Sequence, residues 1–298
     1  MTFLKWQPSA WIRDIAVIAG AALIAGVPAT VASANVGAEA SLQPEPTTES
    51  PSVSQLSGAK FCPSDLNTAI DNIVYRPHFN GASWGISIKP LSDDTVLYAY
   101  HSEDLLIPAS NIKLITTGAA LRIISERAPQ ALPEFKDRFE VINRYSDNYL
   151  ADELLRDIGG QLAVNRALEP LGISSTDYEQ IDGSGLSRGN KVKPSTFVKL
   201  LKGMYETDES GIFYNSLPVG GVSGTLEYRF QDTPAYGRVH AKTGTLRGVR
   251  ALSGYVETPD YGTVVFSIVV NQPGQSGGVM LDAIDEMVLN ITRVEPCS

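Results

Sequence analysis

Apolar positions along the chain follow two rhythms that change places twice. Leu66, Ala69, Ile70, Ile73 and Val74 recur at helical spacing, which predicts a short amphipathic helix over 65–74. Residues 84–88 alternate, and 95–100 follow the turn residues Ser92-Asp93-Asp94, so two strands are expected. Pro108 then opens a long helix that runs to about residue 124. Its stretch 114–121 is small or apolar on every side, the mark of a helix buried all round. Further helices are expected over 149–158, 161–171 and 194–205, the first two stopped by Gly159 and Gly172 and the third started by Pro194. Strand patterns return over 238–243, 252–258 and 263–271, and a last helix covers 280–292.

Strands, then helices, then strands and a closing helix imply an α+β fold. An antiparallel five-stranded sheet flanked by the terminal helices is expected, with an all-helical part inserted in the middle of the chain. The sheet part would use 61–107 and 232–298, and the helical part 108–231. Ahead of the fold, 1–34 reads as an export signal. Lys5 and Arg13 supply positive charge, 15–27 is apolar or small, and Ala32-Ser33-Ala34 offers a cleavage site. An uncleaved anchor is the rival reading, because 15–34 just reaches the ~20 residues a membrane helix needs. Pro28, Thr30 and Ser33 weaken its second half and favour cleavage, which leaves the protein in the periplasm or cell envelope. Residues 35–60 are rich in Pro, Ser, Thr and Glu with no apolar rhythm, and read as a solvated linker.

Composition narrows the function. A net charge of −9 argues against a nucleic-acid partner, which would need a basic face. The histidines are His78, His101 and His240, and no two stand at metal-ligand spacing, so neither a metal nor a cofactor is expected. Cys62 and Cys297 lie near the ends of the mature chain. In an exported protein such a pair is expected to be bonded. Cys62 precedes the first helix and Cys297 follows the last, so two antiparallel terminal helices would bring them together.

Three short motifs carry chemistry. In Ser110-Asn111-Ile112-Lys113 the serine sits in the first turn of the Pro108 helix, where free N–H groups favour a developing anion. A spacing of three puts Lys113 on the same face. It is the only charge between Asp104 and Arg122, and burial would lower its pKa and make it a base. Ser146-Asp147-Asn148 stands before the 149 helix, where the same residue types also serve as plain N-caps. Lys242-Thr243-Gly244-Thr245 ends a strand inside an acid-free stretch, 237–252, that also holds Arg238, Arg247 and Arg250. An edge strand blunted with cations would look the same. Taken singly each motif is weak; together and in this order they are specific.

S-x-x-K, S-D-N and K-T-G form the signature set of penicillin-binding proteins and class A β-lactamases. Pro108 to Leu114, the run Asp182-Gly183-Ser184-Gly185-Leu186-Ser187-Arg188, the run Ser216-Leu217-Pro218-Val219-Gly220-Gly221-Val222, and Lys242 to Val249 narrow it further. They resemble the D-Ala-D-Ala carboxypeptidases/endopeptidases of the low-molecular-mass class C penicillin-binding proteins, over all of the folded part. The resemblance implies a β-lactamase/transpeptidase-like fold and hydrolysis of peptidoglycan stem peptides through an acyl-enzyme. β-Lactam antibiotics would act as covalent inhibitors. By matching motif, Ser110 is the nucleophile, Lys113 its base, and Ser146 the relay of a proton to the leaving amine. Asn148 holds the substrate amide, Lys242 and Thr243 bind the terminal carboxylate, and the N–H groups of Ser110 and Thr245 form the oxyanion hole. One departure stands out. Many relatives insert large domains between S-x-x-K and S-D-N, and here only 114–145 intervenes.

Two rival readings remain. A β-lactamase or esterase shares the acylation machinery, but a class A lactamase needs a deacylating glutamate in an E-x-x-L-N stretch, which is missing. Asp182 stands at a comparable distance. A catalytically inactive penicillin- or wall-binding module would have lost a motif residue, and none is lost. Gly81-Ala82-Ser83-Trp84-Gly85 fits the G-x-S-x-G pattern of hydrolases, but a loop precedes it and a strand follows, so it reads as a turn. His240 shares the strand face of Lys242 and reads as a packed or solvated side chain.

Overall fold

The computed structural model describes residues 60–208 and 211–297; the expected export signal and, apart from Lys60, the linker lie outside them. All of the described residues fall in one unit, Leu56–Ser298. Helix α1 (Pro63–Val74) buries Leu66, Ile70, Ile73 and Val74. Strands β1 (Ser83–Pro90) and β2 (Tyr98–Tyr100) follow as an antiparallel pair. A 3-10 turn, Ala109–Asn111, feeds α2 (Ile112–Arg127), and α3 (Leu132–Arg144), α4 (Asn148–Asp157) and α5 (Gly160–Leu168) come next. A small ribbon, β3 (Tyr178–Glu179) with β4 (Lys191–Val192), precedes α6 (Pro194–Thr207) and the single turn α7 (Ile212–Asn215). The chain closes with β5 (Val239–Leu246), β6 (Val249–Thr258), β7 (Gly262–Asn271) and α8 (Gly277–Ile291).

The main sheet runs in the order β2-β1-β7-β6-β5 and every pairing is antiparallel. Its strands alternate between two cores. Val264, Phe266, Ile268 and Val270 of β7 pack with Ile70 of α1 and Ile284 and Val288 of α8, while Val265 and Tyr255 face the helical core. Burying both sheet faces explains why β7 reads as a near-continuous apolar run. Each fully buried Leu, Ile, Val or Phe contributes roughly 1.5–3 kcal/mol of transfer free energy. In α2, every residue from Ile112 to Leu121 is buried, as expected of a helix apolar on all sides. Leu226 and Phe230, within the stretch expected to be helical, instead join the core under α1 and α8.

Several elements differ from the expectation. Helix α3 was not anticipated, because Glu134, Lys136, Asp137, Arg138, Glu140 and Arg144 make it strongly polar. Its apolar positions Leu132, Phe135, Phe139 and Ile142 do keep a helical spacing, and they pack into the helical core. Strand β2 is shorter than 95–100, and β6 starts at Val249 and not at 252, after a tight turn through Gly248 at φ 68°. The Pro108 segment begins as a 3-10 turn before it becomes α-helical. Cys62 and Cys297 are bonded, their Cα atoms 5.5 Å apart. Beside the bridge, Glu295 N donates to the Phe61 carbonyl at 3.0 Å.

Candidate active site

Ser110 occupies the 3-10 turn ahead of α2. The turn is tightly held. Asn111, completely buried, donates from Nδ2 to Ser253 Oγ at 2.8 Å, and Ser253 in turn meets Ser267 Oγ at 2.8 Å on the sheet. Ala109 adopts φ 48°, a left-handed conformation that costs a non-glycine residue on the order of 1 kcal/mol. Glycines on either side let other segments press against this turn. A Cβ on Gly244 of β5 would stand 2.4 Å from the Pro108 carbonyl oxygen, and one on Gly185 would stand 2.1 Å from that of Ala109. Neither position admits a side chain.

Lys113 follows one helical turn later, and its side chain is completely buried. Its Nζ donates to Ser110 Oγ at 3.1 Å, to Asn148 Oδ1 at 2.7 Å and to the Ser184 carbonyl. Burial lowers its pKa to about 8, while the carboxylates of Asp152, Asp182 and Asp147 pull the other way. An amine at this pKa within reach of a hydroxyl is able to take its proton near neutral pH.

The Ser146-Asp147-Asn148 segment serves both readings open in the sequence. Asp147 is a genuine N-cap, accepting from Leu150 N at 2.8 Å through Oδ1. Ser146, at φ 62°, and Asn148 turn instead toward the two lysines. Ser146 Oγ accepts from Lys242 Nζ at 2.9 Å, as Asn148 accepts from Lys113. The segment thus links β5 to α2.

Lys242 lies opposite Ser253 on β5 and is also completely buried. It also donates to the carbonyl of Thr243 at 3.1 Å. Burial, reinforced by the charge of Lys113, pushes its pKa well down. What reaches the surface is hydroxyl: Thr243 Oγ1 donates to Thr225 Oγ1 at 2.7 Å, and Thr245 stands exposed two residues on. Among the described residues Thr245 hydrogen-bonds to none of the other six expected site residues.

Sequence reasoning missed four contributors. Ser184 supplies the carbonyl that holds Lys113. Asp152 accepts from Gly183 N and Ser184 N, both at 2.8 Å, fixing that loop against α4. Asn111 and Thr225 complete the set. The Asp182-to-Arg188 run was visible as a motif, but nothing in it says that a backbone carbonyl is the useful group. Asp182 itself is committed: Gly185 N, Ser187 N and Asn190 Nδ2 donate to its carboxylate at 2.6, 2.7 and 2.8 Å. His240 packs, stacking on Tyr214 with ring centroids 4.4 Å apart. Ser83 opens β1 after a loop, which leaves no strand-turn-helix elbow around it.

A family model described as D-Ala-D-Ala carboxypeptidase 3 (S13) matches residues 66–131 and 128–294. Among curated proteins, the chain is 40% identical over 166 residues to a D-alanyl-D-alanine carboxypeptidase of Actinomadura sp. strain R39, covering 50% of this chain and 30% of that protein. It is 31% identical over 180 residues to penicillin-sensitive carboxypeptidase A of Dictyostelium discoideum, covering 54% of this chain and 34% of that one. The chain thus spans about a third of the length of the curated relatives it matches. Among solved structures, penicillin binding protein 4 (dacB) of Haemophilus influenzae in complex with a β-lactam superposes with a TM-score of 0.64 at 14% identity, covering 76% of this chain and 99% of that one. TLA-1 extended spectrum β-lactamase gives 0.63 at 16%, covering 76% and 97%. At these identities the likeness is one of fold.

Proposed function

The chain belongs to the D-Ala-D-Ala carboxypeptidase 3 (S13) family, and on that ground and the geometry of the cleft we propose that it is a serine-type D-Ala-D-Ala carboxypeptidase. The observation that carries the reading is the Lys113 amine, 3.1 Å from Ser110 Oγ. Its pKa of about 8 makes it a usable base. In this reading Ser110 Oγ attacks the carbonyl of the penultimate D-alanine as its proton passes to Lys113. The oxyanion forms against the N–H groups of Ser110 and Thr245. Collapse breaks the C–N bond, and Ser146 passes a proton to the departing amine of the terminal D-alanine. Water then cleaves the ester on Ser110 and restores the hydroxyl. Asn148 orients the substrate amide, Thr243 meets the terminal carboxylate, and Lys242 acts on that carboxylate from beneath.

Buried as it is, Lys242 influences the ligand through its charge and through Ser146. An arriving carboxylate would raise its lowered pKa and hold its proton, so binding and protonation would be coupled. The same machinery would open a β-lactam ring and leave a penicilloyl ester on Ser110. Three donors already occupy Asp182, which argues against it as the deacylating base of a β-lactamase. The disulfide fits an exported protein acting on peptidoglycan. The sheet part, 61–107 with 232–298, and the helical part, 108–231, would then be the two walls of the cleft. Incubation with a pentapeptide stem and with its crosslinked dimer, reading released D-alanine, tests the proposal. Release from the pentapeptide supports it, release from the dimer adds endopeptidase action, and release from neither contradicts it.

A further inference from the structure

Thr225 belongs to none of the three motifs, yet it is the residue bonded to the exposed hydroxyl of Thr243, at 2.7 Å. It sits in the 3-10 turn Gly224–Leu226, and that turn is fixed on three sides. Leu226 is completely buried in the core under α1 and α8. Gly224, at φ 60°, backs onto the end of α3: a Cβ there would stand 2.4 Å from the Arg144 carbonyl oxygen. The preceding residues run along the outer edge of β5, where Gly220 N donates to Val239 O at 2.9 Å and Ala241 N donates to Pro218 O at 3.1 Å. A solvent-exposed threonine is thereby held on a rigid turn between the Ser146 segment and the K-T-G strand.

Counting donors shows why the position matters. Lys242 has hydrogen bonds to Ser146 Oγ and to the Thr243 carbonyl, and its side chain is completely buried. A ligand carboxylate above β5 therefore meets hydroxyls and not the ammonium. Thr243 carries one hydroxyl proton, and it donates that proton to Thr225 Oγ1. For Thr243 to donate to a carboxylate its hydroxyl has to turn, and Thr225 then donates to Thr243 Oγ1 in its place. A donor bonded in this way to the back of a hydroxyl polarises it and fixes its direction.

We propose that Thr225 is a positioning residue for carboxylate recognition, acting through Thr243 to aim its hydroxyl at the terminal carboxylate of the substrate. The inference rests on the carboxypeptidase reading and deepens it. It assigns to the Ser216–Thr225 stretch a role in selecting substrates with a free C-terminal carboxylate.

The test uses the full chain and two substrates, an acyl-D-alanyl-D-alanine peptide and the same peptide ending in D-alaninamide. Wild type should prefer the acid in kcat/KM. In Thr225→Val that preference should shrink by about three- to tenfold, the scale of one lost hydrogen bond. The change should lie mainly in KM for the acid, with the amide little affected. Thr225→Ser, which keeps the hydroxyl, should restore the preference. An unchanged preference in Thr225→Val, or an equal loss on both substrates, overturns the role. A wild type that cleaves the acid without preferring it overturns carboxylate selection as a whole. A wild type inactive on both peptides instead contradicts the carboxypeptidase reading on which the role rests.

Discussion

The site holds two completely buried lysines, each bonded to one serine, and the two are set up differently. Lys113 reaches Ser110 from within α2 and is surrounded at longer range by Asp152, Asp182 and Asp147, which offset part of the cost of burial. Lys242 reaches Ser146 from β5; among the described residues no carboxylate offsets its burial, and Lys113 lowers its pKa further. Burial is the larger influence on both amines, and the acidic neighbours of Lys113 offset part of it. With them Lys113 rests near pKa 8, where it is able to gain and lose a proton during turnover. For Lys242, burial and the charge of Lys113 push the same way.

This contrast is open to attack by substitution. The largest effect should come from Lys113→Ala, with kcat/KM falling by about 10²–10⁴, the range for a lost general base. Lys113→Arg should not rescue it, because a guanidinium does not give up its proton. In wild type, kcat/KM should rise with pH up to and through about 8 and level off above, since Lys113 is protonated and inert below that value. A profile already flat from neutral pH upward would contradict the assignment. Lys242→Ala should cost less, about ten- to a hundredfold, because recognition is weakened while the base survives. Its loss should be greater on a free acid than on an amidated peptide. A loss as large as that from Lys113→Ala, and equal on both peptides, would make the two lysines equivalent and break the comparison.

The smallest effect is the most diagnostic of the acidic setting. Asp152→Asn keeps an oxygen to accept from Gly183 N and Ser184 N but removes a charge that raises the Lys113 pKa. The rising limb of the pH profile should therefore move to lower pH, with little change in the plateau. A shift upward, or none, would show that Asp152 acts only as a loop anchor.

How much of this was legible beforehand depended on whether the signal was local. Period-two and period-three-to-four patterns marked α1, α6, the sheet strands and the all-round burial of α2. Helix α3 was hidden because only a narrow stripe, Phe139 and Ile142 foremost, is apolar on a charged helix. The motif serines and lysines were readable as residue types at set spacings. That Lys242 would lie under the cleft and leave hydroxyls at its surface was not, because burial of one side chain depends on strands and loops far along the chain. Thr225 was invisible for a related reason: its meaning comes from a partner, Thr243, that the fold supplies. Ser184 acts through its backbone carbonyl, which no residue type advertises.

The central claim is that Ser110 forms the acyl-enzyme, and penicillin tests it most directly. In the proposed mechanism acylation needs only Ser110, Lys113 and the oxyanion donors, but hydrolysis of the ester needs an activated water. With a β-lactam the leaving group stays tethered and blocks that water. Asp182, with its three donors, is not free to activate it. Lacking a positioned base costs about 10²–10⁴ in rate. Intact-protein mass spectrometry should therefore find one penicilloyl adduct per chain that lasts minutes to hours, peptide mapping should place it on Ser110, and Ser110→Ala should show none. An adduct on another residue, or rapid penicillin turnover with no adduct trapped, would contradict the account.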